Sequence, residues 1–310
     1  MKLSIFMASQ NLGGIQMTFF TDILKGIMIG IANIIPGVSG GTMAVSLGIY
    51  DKLIGSVSNL LKDWRSSVRT LLPLLIGCGI GIVGFTYAIE YLLSHHTFVT
   101  CMAFVGLILG GLPVLFQALR KELRTQKKSI GISGAVAFIL FFAICAFLPM
   151  LKNNQDVLTS FAVTPMTMIL LFLVGVIASA TMVIPGVSGS MVMMILGYYY
   201  AVINTIKGFL DSLKAFDMPG LIHGSCLLIP FGIGVLLGIF LIAKLITFLF
   251  EKFGIQTYCA ILGLIIASPF AIFYNTGLFS QLSSLTIGSV ILGVVLAAAG
   301  AVLTLKMGEA

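Results

Sequence analysis

Charge is what this sequence has least of. Asp, Glu, Lys and Arg together make up 9% of its 310 residues, while hydrophobic residues make up 59% and mean hydropathy is +1.14. A globular surface facing water carries roughly a quarter charged residues, so a soluble fold is excluded. Histidine is scarcer still: His95, His96 and His223 are all there is, and all three are expected in external loops. No HExxH, GxSxG, carboxylate pair or Walker-type phosphate loop occurs, so neither a hydrolase nor an ATP-driven pump has a constellation to work with. The five cysteines, Cys78, Cys101, Cys145, Cys226 and Cys259, form no CxxC pair and no ligand spacing. They read as small hydrophobes within helices, and no metal and no cofactor is expected. The N-terminal run MKLSIFMASQNLGGIQ is too polar for a signal-peptide core, so no cleavage is expected.

Long apolar runs are what the sequence does have. A spanning helix needs about 20 apolar residues, and the clearest candidates are 71–93, 98–118, 130–150, 228–250, 257–274 and 284–305. Residues 19–50 and 165–203 are also apolar, but each is broken near its middle by Pro-Gly. Proline removes a backbone donor and glycine loosens the helix. Within hydrocarbon, such breaks survive only where protein or a water-filled cavity satisfies the freed groups. The fold class is therefore an all-α polytopic membrane protein.

The two breaks carry the same six residues, Ile35-Pro36-Gly37-Val38-Ser39-Gly40 and Ile184-Pro185-Gly186-Val187-Ser188-Gly189. At the same offset Gly26 meets Gly175, Gly48 meets Gly197 and Tyr50 meets Tyr199. After a loop of different length, Pro73 meets Pro230, Gly77 meets Gly234, Gly81 meets Gly238, Thr100 meets Thr257 and Gly106 meets Gly263. A shared Pro/Gly skeleton is hard to reach by chance between apolar helices. Two repeats are expected, 20–150 and 165–305, each a broken hairpin followed by three spanning helices. Residues 1–19 form the N-terminal segment, 151–164 the linker and 306–310 the C-terminal segment.

Basic residues set the orientation. Twelve Lys and Arg residues, in the loops 51–70 and 119–129 and at Lys2, Lys252 and Lys306, fall on one side. Lys152, Lys207 and Lys214 fall on the other. The positive-inside rule places both termini in the cytoplasm and the 151–164 linker outside. Each repeat then has an odd number of crossings, so the two have inverted topology. Fourteen residues from 37 to 50 are too few to span, so the first hairpin is expected to re-enter; 166–184 is long enough to span, and two re-entrant hairpins are the favoured reading.

Inverted repeats with broken helices are the usual frame of alternating-access transporters, with the site at the repeat interface near the midplane. The second half-helix of each hairpin starts just after Pro-Gly, where free N–H groups and the helix dipole favour an anion. Pro36, Gly37, Ser39, Gly40, Gly41 and Thr42 in the first copy, with Pro185, Gly186, Ser188, Gly189 and Ser190 in the second, are expected to form two halves of one anion cradle. Close packing of membrane helices also favours such small residues. Asn33, three residues before Pro36, is expected to bind freed backbone groups or ligand; its counterpart by offset is Met182. Lys25, Glu90 and Lys244 are the charges at membrane depth. Lys25 either attracts phosphate or snorkels; Glu90 and Lys244 either carry a coupling or head-group charge or anchor at the interface. Tyr50 and Tyr199 read as interface aromatics.

The run Lys25-Gly26 through Ile35-Pro36-Gly37-Val38-Ser39-Gly40-Gly41-Thr42 to Leu47-Gly48-Ile49-Tyr50-Asp51, with Pro185 to Ser190 and Gly197-Tyr198-Tyr199, resembles the signature of the bacterial PopT family of undecaprenyl (polyprenyl) phosphate translocases. The similarity covers about 20–305. It implies return of the lipid carrier to the cytoplasmic leaflet of the inner membrane after cell-wall or surface-polymer synthesis. It also implies a polyprenyl phosphate and membrane lipids as partners; the basic loops, read as orientation signals, give no reason to expect nucleic acid, the missing catalytic constellations give none to expect an enzyme, and homo-oligomerisation is left open. Competing readings are a transporter or channel for a small soluble anion, a membrane phosphatase or protease, and a scaffold.

Overall fold

The computed structural model describes residues 12–35, 38–151, 160–281 and 285–309, apart from the side chains of 12–18, 34, 86, 87, 90 and 309. Every regular element among the described residues is helical. The first hairpin consists of α1 (Leu12–Ile34), the short α2 (Gly40–Ser46) and α3 (Tyr50–Ser58). Then come α4 (Trp64–His95), α5 (Thr97–Gly110), α6 (Leu112–Gln126) and α7 (Ile132–Phe147), which ends in a 3-10 turn, Leu148–Leu151. The second hairpin is α8 (Pro165–Val183), α9 (Gly189–Ile195) and α10 (Tyr199–Ala215). It is followed by α11 (Met218–Asn275), the single turn α12 (Leu278–Gln281) and α13 (Ile287–Glu309).

Local chemistry sets these ends. Asp63 accepts the Ser66 N–H to start α4, and Thr164 accepts the Thr167 N–H just before Pro165, whose missing donor does no harm in a first turn. The short helices of the two hairpins end alike. The N–H groups of Gly48 and Ile49 return to Val45 and Ala44, and those of Gly197 and Tyr198 to Met194 and Met193. This double closure needs a left-handed residue, and Gly48 (φ +69°) and Gly197 (φ +80°) supply it. The glycine pair aligned in the sequence thus has one physical cause in both places.

Six helices among the described residues are long and apolar enough to cross a membrane. Their outer faces expose large apolar side chains, such as Leu75 and Val83 on α4 and Ile291 and Val295 on α13, which hydrocarbon tolerates and water does not. Two expected spans, 228–250 and 257–274, belong to α11, which is broken at Phe253 (φ −129°, ψ 41°) into two limbs. The expected basic loop 119–129 is helical through Gln126, since α6 is amphipathic and its charges lie on an open face.

Glycine fixes how the helices pair. Gly26 and Gly30 of α1 press on the α4 backbone at Leu74 and Cys78, and Gly77 and Gly81 return the contact at Ile23 and Ile27. The second set repeats it, with Gly175 on Phe231 and Gly234 and Gly238 on Phe172 and Val176. Membrane helices that gain little from apolar burial associate through such close backbone approach. Two glycine pairings cross between the two halves of the chain. Helix α7 lies on the second limb of α11, with Gly263 against Phe138, and α13 lies on α5, with Gly106 against Ala297 and Gly110 against Ala301. The last helix of each half is packed on the other half.

Candidate functional site

Residues that follow the first Pro-Gly meet the second break. The Thr42 hydroxyl oxygen accepts the Gly186 N–H at 2.5 Å, and the Ser39 hydroxyl lies 3.3 Å from the carbonyl oxygens of both Met182 and Ile184, to which it donates. Tyr50 donates its hydroxyl to the Val183 carbonyl at 3.2 Å. A Cβ placed on Gly41 would stand 2.6 Å from that same Val183 oxygen, so only glycine lets the backbones come this close. Ser39 is 3% exposed and Thr42 1%. The carbonyls freed where α8 stops find their donors on the other hairpin, as buried backbone groups must.

In this structure the donors of the expected cradle are engaged with protein. In the first hairpin the starting amides are taken: Asn33 Oδ1 accepts the Gly40 N–H at 3.1 Å and Ser39 Oγ accepts the Gly41 N–H at 3.2 Å. Asn33 thus binds freed backbone. In the second, Ser188 makes no cap; its hydroxyl pairs with that of Ser190 at 2.8 Å. Gly189 sits where a Cβ would be 2.5 Å from the Ala178 carbonyl, while Gly186 (φ +81°) turns the chain and its carbonyl accepts from the Cys145 thiol at 3.2 Å. Pro185 is buried beside it. Pro36 and Gly37 lie outside the described residues. What was expected as an open cradle is, in this structure, a closed junction whose donors are turned onto protein.

Of the three charges, the structure places Lys244 on the outer surface, its ammonium 4.4 Å from the Phe240 ring centre. The Glu90 side chain is outside the described residues. Lys25 is 8% exposed, one helical turn from Asp22 on α1. Tyr50 is a correction too: it is 4% exposed and ties the hairpins together, so it is no interface aromatic. Its signal was available, because a stopped helix leaves carbonyls in need of a donor. Sequence reasoning also missed Asp22, whose carboxylate holds Lys52 at 2.6 Å, and Tyr258, whose hydroxyl donates to Asp51 at 3.3 Å. Tyr50, Asp51 and Tyr258 line a cavity of about 150 Å³ together with Gly48 and Phe250. Among the described residues no group of His, Cys, Asp or Glu is placed to hold a metal.

The junction prediction is specific. Thr42→Val leaves the buried Gly186 N–H without its acceptor, which costs about 1–3 kcal/mol. The unfolding midpoint in detergent should fall, and Thr42→Ser should restore it; equal midpoints for Val and Ser would remove the hydrogen bond from the account.

Helices that cross a bilayer, and two broken hairpins meeting at a buried polar junction, define a multi-pass membrane protein of the transporter class. Comparison with known proteins makes the class particular: the chain belongs to the VCA0040-like, undecaprenyl phosphate translocase-like family, which matches residues 29–284. It is 30% identical over 256 residues to the polyprenyl-phosphate transporter of Staphylococcus aureus, covering 81% of this chain and 85% of that one. The polyprenyl-phosphate transporter of Vibrio cholerae is 30% identical over 220 residues, 66% of each chain. These relatives are named as transporters and not as enzymes. No solved structure matches.

Proposed function

We propose that this chain translocates undecaprenyl phosphate from the outer to the cytoplasmic leaflet of the bacterial inner membrane, returning the carrier for cell-wall and surface-polymer synthesis. The two halves act as inverted repeats, both termini are cytoplasmic, and the hairpins re-enter the membrane from opposite sides. The observation that carries this reading is the meeting of the two Pro-Gly motifs through Ser39, Thr42 and Tyr50. Re-entry is supported by the Asp22–Lys52 pair, which brings α3 back to the level of α1 on the near side of the break.

Transport follows from opening the junction. When the hairpins part, the Ser39 and Tyr50 hydroxyls and the Gly186 N–H lose their protein acceptors. They become donors for phosphate oxygens, with the Ser188 and Ser190 hydroxyls beside them. Each such bond contributes about 0.5–1.5 kcal/mol net, so closing across the junction amounts to a few kcal/mol, a scale on which two conformers interconvert. The cavity under Tyr50 gives the head group room on one side, and the prenyl tail stays in lipid throughout. Basic residues on the cytoplasmic face favour the anionic head group on arrival.

The test uses liposomes containing undecaprenyl phosphate and the purified protein. Outer-leaflet phosphate should become inaccessible to an external phosphatase faster than in empty liposomes; no acceleration, with folded protein and an imposed proton gradient, would move the reading to a small soluble anion. Ser39→Ala combined with Ser188→Ala should weaken binding more than either alone. The two singles should separate: Ser39→Ala loses a helix cap and about 1 kcal/mol, whereas Ser188→Ala should leave the melting point unchanged and reduce binding alone.

A further inference from the structure

The two hairpins are closed by different chemistry. In the first, the face of α1 that carries Asp22, Lys25, Ile29 and Ala32 is buried, and Lys52 on α3 reaches across to Asp22 with Nζ 2.6 Å from Oδ2. Asp22 and Lys25 are 7% and 8% exposed, while the Lys52 side chain keeps 41% of its surface. Lys25 forms no ion pair within 4 Å among the described residues, although the Asp22 carboxylate attracts it and the Lys52 ammonium repels it. Displaced by 149 residues, the second hairpin has Leu171, Val174 and Ala201 at the places of Asp22, Lys25 and Lys52. All three are buried, and Leu171 packs with Val202 and Leu227.

The second hairpin is therefore an internal control on the first. It closes the same turn with apolar groups alone, so the fold has no need of the charges. Nor do they add much stability: Lys52 keeps 41% of its side-chain surface, and a pair so open to its surroundings contributes little. Two ammoniums against one carboxylate, with Lys25 8% exposed and without an ion pair within 4 Å among the described residues, are arranged for a further negative charge.

We propose that Lys25 and Lys52 form a docking station for a phosphate monoester head group, present at the first hairpin only. This rests on the transport reading above. In the empty protein Asp22 holds Lys52; an arriving phosphate dianion takes Lys52 from Asp22 and gains Lys25. As the phosphate leaves, Asp22 recaptures Lys52, which makes docking reversible. Asp22 is thus a release residue. The station lies on the same end of the protein as the basic segment that begins α4, so the two membrane faces offer the lipid different affinities.

The experiment grafts the second hairpin onto the first: Asp22→Leu, Lys25→Val and Lys52→Ala together, in proteoliposomes with undecaprenyl phosphate. The graft should stay monodisperse and melt near the wild type, with translocation at least tenfold slower. Translocation at the wild-type rate overturns the station. An inactive wild type would instead overturn the transport reading itself, so the two failures are distinct. Lys25→Met, equal in length and uncharged, carries the same expectation of slowed translocation should the graft fold poorly. Asp22→Asn should lower the half-saturating lipid concentration severalfold while slowing turnover; a raised half-saturating concentration would mean a structural ion pair and overturn the proposal. Farnesyl phosphate should compete in the wild type and lose that effect in the graft. Equal competition by inorganic phosphate would overturn the assignment to a lipid head group.

Discussion

Gly41→Val should reduce translocation at least tenfold while the protein remains folded. Even a Cβ at this position meets backbone atoms of the other hairpin, with the Val183 carbonyl oxygen at 2.6 Å and the carbonyl carbons of Val183 and Ile184 at 3.2 and 3.3 Å. Neither side of the contact is the flexible tip of a side chain, so the clash is relieved only by moving one hairpin off the other. Val183 is also the acceptor of Tyr50, and Thr42, the next residue, holds Gly186. A shift large enough for valine breaks both cross-links. Overpacking of this kind costs about 1–3 kcal/mol, so the melting point should drop by only a few degrees to about ten. The discriminating control is Gly55→Val on α3, where an added Cβ meets nothing within 4 Å. Wild-type translocation by Gly41→Val would show that the junction plays no part in transport.

The larger effect on stability is expected at the contact between the halves. In Gly106→Leu, the new side chain starts on top of the Ala297 backbone, and in Gly110→Leu on that of Ala301. Both partners are backbone of α13, and the two glycines are one helical turn apart on the same face of α5. The helices must separate along this seam, and α13 then loses the surface on which it packs. Either substitution should cost more than about 3 kcal/mol, seen as loss of monodisperse protein or a melting point lower by ten degrees or more. Gly79→Leu on α4, whose added Cβ meets nothing within 4 Å, should be neutral, because it faces lipid. Equal behaviour of the three variants would mean that α5 and α13 do not depend on this close approach.

Some of this was legible before any coordinates. The membrane class follows from charge scarcity, and the Pro/Gly skeleton placed both hairpins and the glycine pairs that press helices together. Gly48 and Gly197 were aligned by letter and turn out to close two short helices in the same way. The junction was half legible: duplication suggested that the motifs belong together, and they do touch. Where their donors turn was not legible, because a count of freed amides along one helix start cannot see an acceptor seven residues back, such as Asn33, or on the other hairpin, such as Thr42. Tyr50 was misread for a similar reason, since a tyrosine ending an apolar run looks the same whether its hydroxyl meets water or a carbonyl. The crossing of α7 and α13 between halves was not legible at all. A lipid-facing side chain and one facing another helix are equally apolar, so sequence pattern does not reveal which neighbour a membrane helix selects. Asp22 and Lys52 were overlooked for want of pairing, each being ordinary alone.

The crossing of the last helices also constrains how the molecule is made. Helix α5 leaves the ribosome long before α13, yet Gly106 and Gly110 form a groove in which α13 lies in the folded protein. Until the final helix arrives, the nascent first half carries an open small-residue stripe in the bilayer, free to capture a wrong helix. Helix α13 acts as a latch, and a product that stops before residue 287 leaves the α5 seam without the helix that covers it here.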